Sequence, residues 1–200
     1  RTSGEIIFKD NTRLELEDDF LWKGRYYVYG YGVFKGTRTQ LESAVSLAYD
    51  TYGTVVDSDS KLVWKRYKST QASIDGVVPV INGNSLTNSI QMLCNYLGGD
   101  VNALSHMNGG MDAVDIISSI NGVNGINLTG ITYDKILSYI GEGSPVIARI
   151  GDNQYIVIIA YNSNEIAYID GETGVQKTIT MNDAGKMFSE GGNVYVTYYK

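Results

Sequence analysis

The sequence predicts an α+β fold, and three features carry that expectation. Helical periodicity fills the middle of the chain. Strand-like segments separated by short turns fill the last quarter. A smaller β-α-β-β segment precedes both, so helices come before the main sheet, the order of an α+β domain. The bulk numbers agree with a packed chain. Hydrophobic residues make up 43% and charged residues 19% of 200 residues, enough apolar material for a core. The 16 Tyr and 23 Gly beside only 2 Pro suggest a Tyr-rich sheet with turn-rich connections, a composition of bacterial cell-surface flavour.

Taken in order, residues 1–24 form a lead-in in which 6–8 and 13–17 alternate like short strands. Glu15, Glu17, Asp18 and Asp19 form a small acidic run expected at a solvated edge. Residues 26–34, rich in Tyr and Val, predict one strand. Gly36 and Thr37 then lead into a helix whose face is Leu41, Ala44, Val45 and Ala48, with Gly53 expected as its C-cap. Strands at 54–56 and 62–67 flank the turn Asp57-Ser58-Asp59-Ser60. That turn begins like a calcium loop, but Leu62 and Lys68 stand where an EF-hand needs Gly and Glu, so a hairpin turn is expected. The module spans 26–70 and a second domain 71–200.

In the second domain, 77–81 is apolar and predicts a short strand. A helix over 85–97 shows Leu86, Ile90, Leu93 and Leu97 on one face and stops at Gly98-Gly99. Further helices are expected at 101–107, at 112–120 with Asp112 as N-cap, and at 132–140 with Thr132 as N-cap. Residues 121–125 read as a turn-rich loop between the last two. Segments 145–150, 155–161, 165–170, 175–179 and 193–199 predict strands.

The formal net charge of −6, with no basic cluster, argues against nucleic acid as the main partner. No apolar run reaches the ~18–20 residues that span a bilayer, so no membrane span is expected. The chain opens at Arg1 with neither an initiator Met nor a signal-peptide pattern, as a mature product or an excised piece would. The sequon Asn127-Leu128-Thr129 is as readily a chance match as a glycan acceptor.

Chemistry-bearing residues are few. Cys94, the single cysteine, excludes an internal disulfide and sits beside an apolar helix face, away from the helix N-terminus that would lower its pKa. His106, the single histidine, lies near Gly109-Gly110 at an expected helix end, twelve residues from Cys94. One His and one Cys leave too few ligands for zinc, so no metal or cofactor is expected.

Four motifs stand in a telling order: Asn95-Tyr96-Leu97-Gly98, then Gly143-Ser144-Pro145-Val146-Ile147, then 154–161, then Asp170-Gly171-Glu172-Thr173-Gly174. In order and spacing, residues 76–200 resemble the bacteriocin-processing, papain-like cysteine peptidases of the C39 family. The resemblance implies a papain-like cysteine peptidase fold. It also implies where the family's catalytic positions fall. The nucleophile position holds Ser85, followed by Leu86 and Thr87 in place of Gly-Pro. The general-base position holds Gln154, and the orienting position keeps Asp170. The oxyanion-side Gln has no counterpart; Asn82 and Asn84 are the nearby amides. Gln154 has no group that titrates near neutrality, and Ser85 without a base is a weak nucleophile. Asp170 without an imidazole to orient is most simply a turn residue.

The expectation is therefore a catalytically inactive peptidase-like binding module at a Gram-positive cell surface. Residues 26–67 resemble a small module that precedes such domains in some surface proteins. The ligand expected is a peptide or a cell-envelope component, held by Asn84, Ser85, Gln154 and Asp170 in a shallow cleft between the start of the Ser85 helix and the Gln154 strand. Two alternatives stay open: a hydrolase using Cys94 with His106 or using Ser85, and a structural spacer within a larger surface protein.

Overall fold

The structure is a computed structural model that describes residues 4–7, 13–16, 26–67 and 69–200, the first two stretches by backbone alone. Strands β1 (Gly4–Ile7) and β2 (Arg13–Leu16) pair antiparallel. The side chains of the acidic run at Glu15, Glu17, Asp18 and Asp19, and the end of the expected strand at Phe8, lie outside the described residues. The chain divides into two compact units, Arg1–Val63 and Trp64–Lys200.

In the first unit, β3 (Tyr26–Gly30), β4 (Val33–Arg38), β5 (Thr54–Val56) and β6 (Leu62–Lys65) form a sheet in the order β4-β3-β5-β6, with the division falling inside β6. The single strand expected over 26–34 is a hairpin. The chain reverses at Tyr31 and Gly32, whose φ of 52° and 79° are those of a two-residue turn that follows strand twist. Gly36 and Thr37 consequently belong to β4, and helix α1 (Leu41–Asp50) starts after them. Of its expected face, Ala44, Val45 and Ala48 are fully buried, as are Val28 and Val55 of the sheet it covers, while Leu41 in the first turn is half-buried. Gly53 does not make the left-handed turn at the helix end. Tyr52 does, with φ 50°, and the Gly53 N–H closes the motif on the Ala48 carbonyl at 2.7 Å. Gly53 is needed for a different reason, because a Cβ there would overlap the Tyr29 carbonyl. The 57–60 segment is a hairpin turn, with Asp57 Oδ1 accepting from the N–H groups of Asp59 and Lys61 at 2.9 and 2.8 Å.

The second unit is built on β7 (Ala72–Ser73), β8 (Asn124–Asn127), β9 (Val146–Ile150), β10 (Gln154–Tyr161), β11 (Glu165–Asp170), β12 (Gln176–Thr180) and β13 (Tyr195–Tyr199). They form an antiparallel sheet in the order β12-β11-β10-β9-β13-β8, with β7 added against β10. A bulge between Ile158 and Ala160 lets β10 change partner, from β9 over its first half to β7 at Ala160 and Tyr161. Helices α2 (Ser85–Tyr96), α3 (Ala103–Asn108) and α4 (Ala113–Ser118) pack together, and α2 lies on β10. Ile90, Met92, Leu93 and Cys94 of α2 are fully buried with Ile116, Ile117 and Val157. Leu86 and Leu97, on the same expected face, are partly buried at its ends. Helices α5 (Tyr133–Gly141) and α6 (Met181–Glu190) complete the unit. Trp64 is anchored here by its indole N–H, which donates to the Lys135 carbonyl at 3.0 Å.

Two further expectations need correction, and one element goes unforeseen. Residues 77–81 form no strand: Pro79 removes a donor from the middle of the run, and Val78 and Ile81 are exposed. The loop expected over 121–125 gives way to β8 at Asn124, because Asn124–Asn127 pairs with β13 despite its composition. Helix α6 was not legible at all. Thr180 caps it by accepting from the Asp183 N–H at 3.2 Å, and only Ala184 and Phe188 turn inward to full burial. No helix among the described residues is long and apolar enough to cross a membrane.

Candidate functional site

The start of α2 is fixed by two asparagines one turn apart. Asn84, in extended conformation, caps the helix by accepting from the Thr87 N–H at 2.9 Å. Asn88 ties together the loop that leads in. Its Oδ1 accepts from Asn82 N–H at 3.0 Å and Gly83 N–H at 2.8 Å. Its Nδ2 donates to the Gly83 carbonyl at 3.0 Å and to the Gly171 carbonyl at 2.8 Å. The carboxamide thus fills its whole donor and acceptor capacity while only 1% exposed.

Ser85 follows the cap and is itself buried. Its Oγ donates to the Asn153 carbonyl at 3.3 Å and accepts from the Tyr155 N–H at 3.2 Å, so it grips the backbone on both sides of Gln154. The Ser89 hydroxyl donates back to the Ser85 carbonyl at 2.7 Å. Gly171 closes the junction: its N–H donates to the Tyr155 carbonyl at 3.0 Å. A Cβ at Gly171 would lie 2.5 Å from the Ser85 and Tyr155 carbonyl oxygens and 2.6 Å from Ser89 Oγ. A glycine is required for helix and strand to approach this closely.

Asp170 ends β11 opposite Ile156. Side chains in a strand alternate, so Gln154, two residues before Ile156, shares a face with Asp170. Asp170 folds onto its own turn, its Oδ1 accepting from the Glu172 and Thr173 N–H groups at 2.9 and 3.0 Å, while Oδ2 pairs with Lys177 Nζ at 2.6 Å. Burial alone would raise its pKa, but the Lys177 hydrogen bond and the two amides together hold the carboxyl below the ordinary range. Gln154 is exposed, and its Nε2 reaches Glu172 Oε2 at 3.4 Å, a long contact. At Ser85, direct hydrogen bonds join the head of α2 to the head of β10.

The structure therefore brings Asn84, Ser85, Gln154 and Asp170 to one end of the sheet. Sequence reasoning missed Asn88, Ser89, Gly171, Glu172 and Lys177. Asn88 had a signal, a polar amide one turn after a cap in an otherwise apolar helix. Gly171 and Glu172 registered only as members of the motif at 170–174, and nothing in sequence tied Lys177 to Asp170. The Thr87 hydroxyl is buried with no partner among the described residues. Thr87→Val, which keeps the shape and removes that group, is expected to raise stability by about 1 kcal/mol in urea denaturation; a lower midpoint would mean that the hydroxyl is bonded.

The Ser85 proton is directed at an amide carbonyl, which is no base. His106 lies on α3, with Nδ1 against Met111 Sδ at 3.2 Å. Cys94 is fully buried, and desolvation pushes its thiol up to about 11. A thiol reagent at pH 7 is expected to label native Cys94 far more slowly than the urea-unfolded chain, and equal rates would show that the α2 core is open. Cys94→Ser should lower stability by about 1–2 kcal/mol, the cost of placing a hydroxyl in an apolar site.

No family model and no curated protein matches this sequence. Among solved structures, the chain is similar to the crystal structure of a "putative C39-like peptidase" from Bacillus anthracis, with a TM-score of 0.57. The two are 11% identical, and the match covers 66% of this chain and 98% of that one. At that identity the similarity speaks for the fold: the chain is an α+β protein with antiparallel sheets and a C39-like peptidase fold.

Proposed function

We propose that this chain is a catalytically silent, papain-like module that binds a peptide or cell-envelope ligand near the former catalytic positions, at the surface of a Gram-positive bacterium. The observation that carries the reading is the state of Ser85. Its hydroxyl is spent on the backbone of Asn153 and Tyr155, and the single histidine, His106, lies on α3 against Met111. Cys94 and His106 offer no substitute, since the thiol is buried in the helical core and held protonated. Binding rather than turnover is what the remaining groups suit. Gln154 presents a donor and an acceptor at the surface, and the first turn of α2 is pinned in place by Asn84 and Asn88.

The test is amide-shift mapping of isotopically labelled protein, titrated in separate arms with a hexapeptide library and with solubilised peptidoglycan fragments. Shifts centred on Leu86, Gln154, Tyr155 and Glu172 are expected in one arm. Gln154→Ala should weaken that binding about fivefold, the worth of one hydrogen bond of about 1 kcal/mol. Binding that leaves those amides unmoved would contradict the site.

A further inference from the structure

The smaller unit carries a surface feature independent of that site. The β3–β4 hairpin turns through Tyr31, where such turns favour Asn, and α1 ends through Tyr52, where Gly or Asn is favoured. Both tyrosines lie in the left-handed region, φ 52° and 50°, where the Cβ of a bulky L residue crowds the backbone. Neither position gains burial in exchange: Tyr31 is 67% and Tyr52 56% exposed.

The two rings are neighbours, with centroids 6.0 Å apart and planes at 35°. The backbone beneath them is locked. The Tyr31 N–H donates to the Thr51 carbonyl at 3.0 Å, and a Cβ on Gly30 would overlap Thr51. Hairpin tip and helix end therefore present both rings on a fixed frame. Lys35 Nζ lies 5.7 Å from the centroid of the Tyr31 ring, and exposed Val33 adjoins the turn. Strained residues persist where the surrounding structure holds them and cluster at sites of function.

We propose that Tyr31, Tyr52 and Lys35 form a binding platform for an acidic glycan. A pyranose has an apolar C–H face and a rim of hydroxyls, which match a tyrosine's apolar ring and polar tip. Lys35 decides the charge. An ammonium over the Tyr31 ring repels the cationic ligands that aromatic groups otherwise attract, and it draws a carboxylate or phosphate carried by the sugar. The fixed frame leaves little to be ordered on binding.

The experiment is affinity electrophoresis of the intact chain through gels containing polygalacturonate or, separately, neutral dextran. Retardation by polygalacturonate is expected, and it should run against the net charge of −6, which opposes non-specific attraction. The double variant Tyr31→Asn/Tyr52→Gly should lose at least tenfold in affinity, with its thermal midpoint unchanged or raised because both backbone strains are relieved. Lys35→Gln should weaken binding several-fold and remove most of its salt dependence. The proposal is overturned if polygalacturonate does not retard the chain, if dextran retards it equally, or if the double variant still binds. It is overturned as well if the variant's midpoint falls, since the rings would then be structural, or if a proline-rich peptide displaces the polysaccharide from them with higher affinity. None of these outcomes bears on the site at Ser85.

Discussion

Asn88→Ala is expected to lower stability by about 3–4 kcal/mol, read as a shift of the urea midpoint. The residue is 1% exposed, and its carboxamide serves Asn82 N–H, Gly83 N–H, the Gly83 carbonyl and the Gly171 carbonyl. Truncation leaves these backbone groups without their partner: the buried Gly171 carbonyl left unpaired costs about 1–3 kcal/mol, and the three part-buried bonds at exposed Asn82 and Gly83 add about 1 kcal/mol together. Asn88→Asp is the sharper version. It keeps the shape but, when ionised, places an acceptor against two carbonyls, so it should destabilise even though no volume is lost. Gln91→Ala, at a partly buried amide that bonds to Val101 and Ala103, should lose less, about 1–2 kcal/mol. A loss below about 1 kcal/mol for Asn88→Ala would show that the head of α2 is held by something other than this amide.

Gly171→Ala is expected to lower stability by about 3 kcal/mol, at the upper end of overpacking effects. The new methyl would sit 2.5 Å from two backbone carbonyl oxygens, Ser85 and Tyr155. Backbone cannot swing aside as a side chain does, so α2 would have to move off β10, stretching the bonds that Ser85 makes to Asn153 and Tyr155. Gly171 is not among the positive-φ glycines, so the loss is steric rather than conformational. Denaturation should therefore show a loss for Gly171→Ala, with a larger one for Gly171→Val. A midpoint within 0.5 kcal/mol of the parent, the range of ordinary surface substitutions at roughly ±0.5 kcal/mol, would contradict the close approach.

Much of the fold was legible because its signals were local. The apolar face of α2 at Ile90 and Leu93, the Gly98-Gly99 stop, and the strand Glu165–Asp170 all follow from periodicity and turn chemistry. The misses share a physical cause, which is long-range packing overriding local preference. Tyr31-Gly32 lacks the asparagine that advertises a hairpin, so two strands read as one. The Asn-rich β8 is a strand because β13 supplies its partners. Helix α6 carries Gly185 and turns only Ala184 and Phe188 fully inward, too thin a stripe to register. At the candidate site, the resemblance brought Ser85, Gln154 and Asp170 to one end of the sheet. It did not foresee where their side chains would point. Register decides that: Asp170 pairs with Ile156, its carboxylate turns back to Thr173 and Lys177, and Gln154 meets Glu172.

The most direct test of the central claim is a search for turnover. The purified chain should be incubated near neutral pH with a diverse peptide mixture and with activated ester substrates, and the products followed by mass spectrometry. A chain whose Ser85 hydroxyl serves backbone groups and whose base position holds Gln154 is expected to give no cleavage above a buffer blank. Cleavage that disappears in Ser85→Ala or Cys94→Ala would contradict the account and make this chain an enzyme.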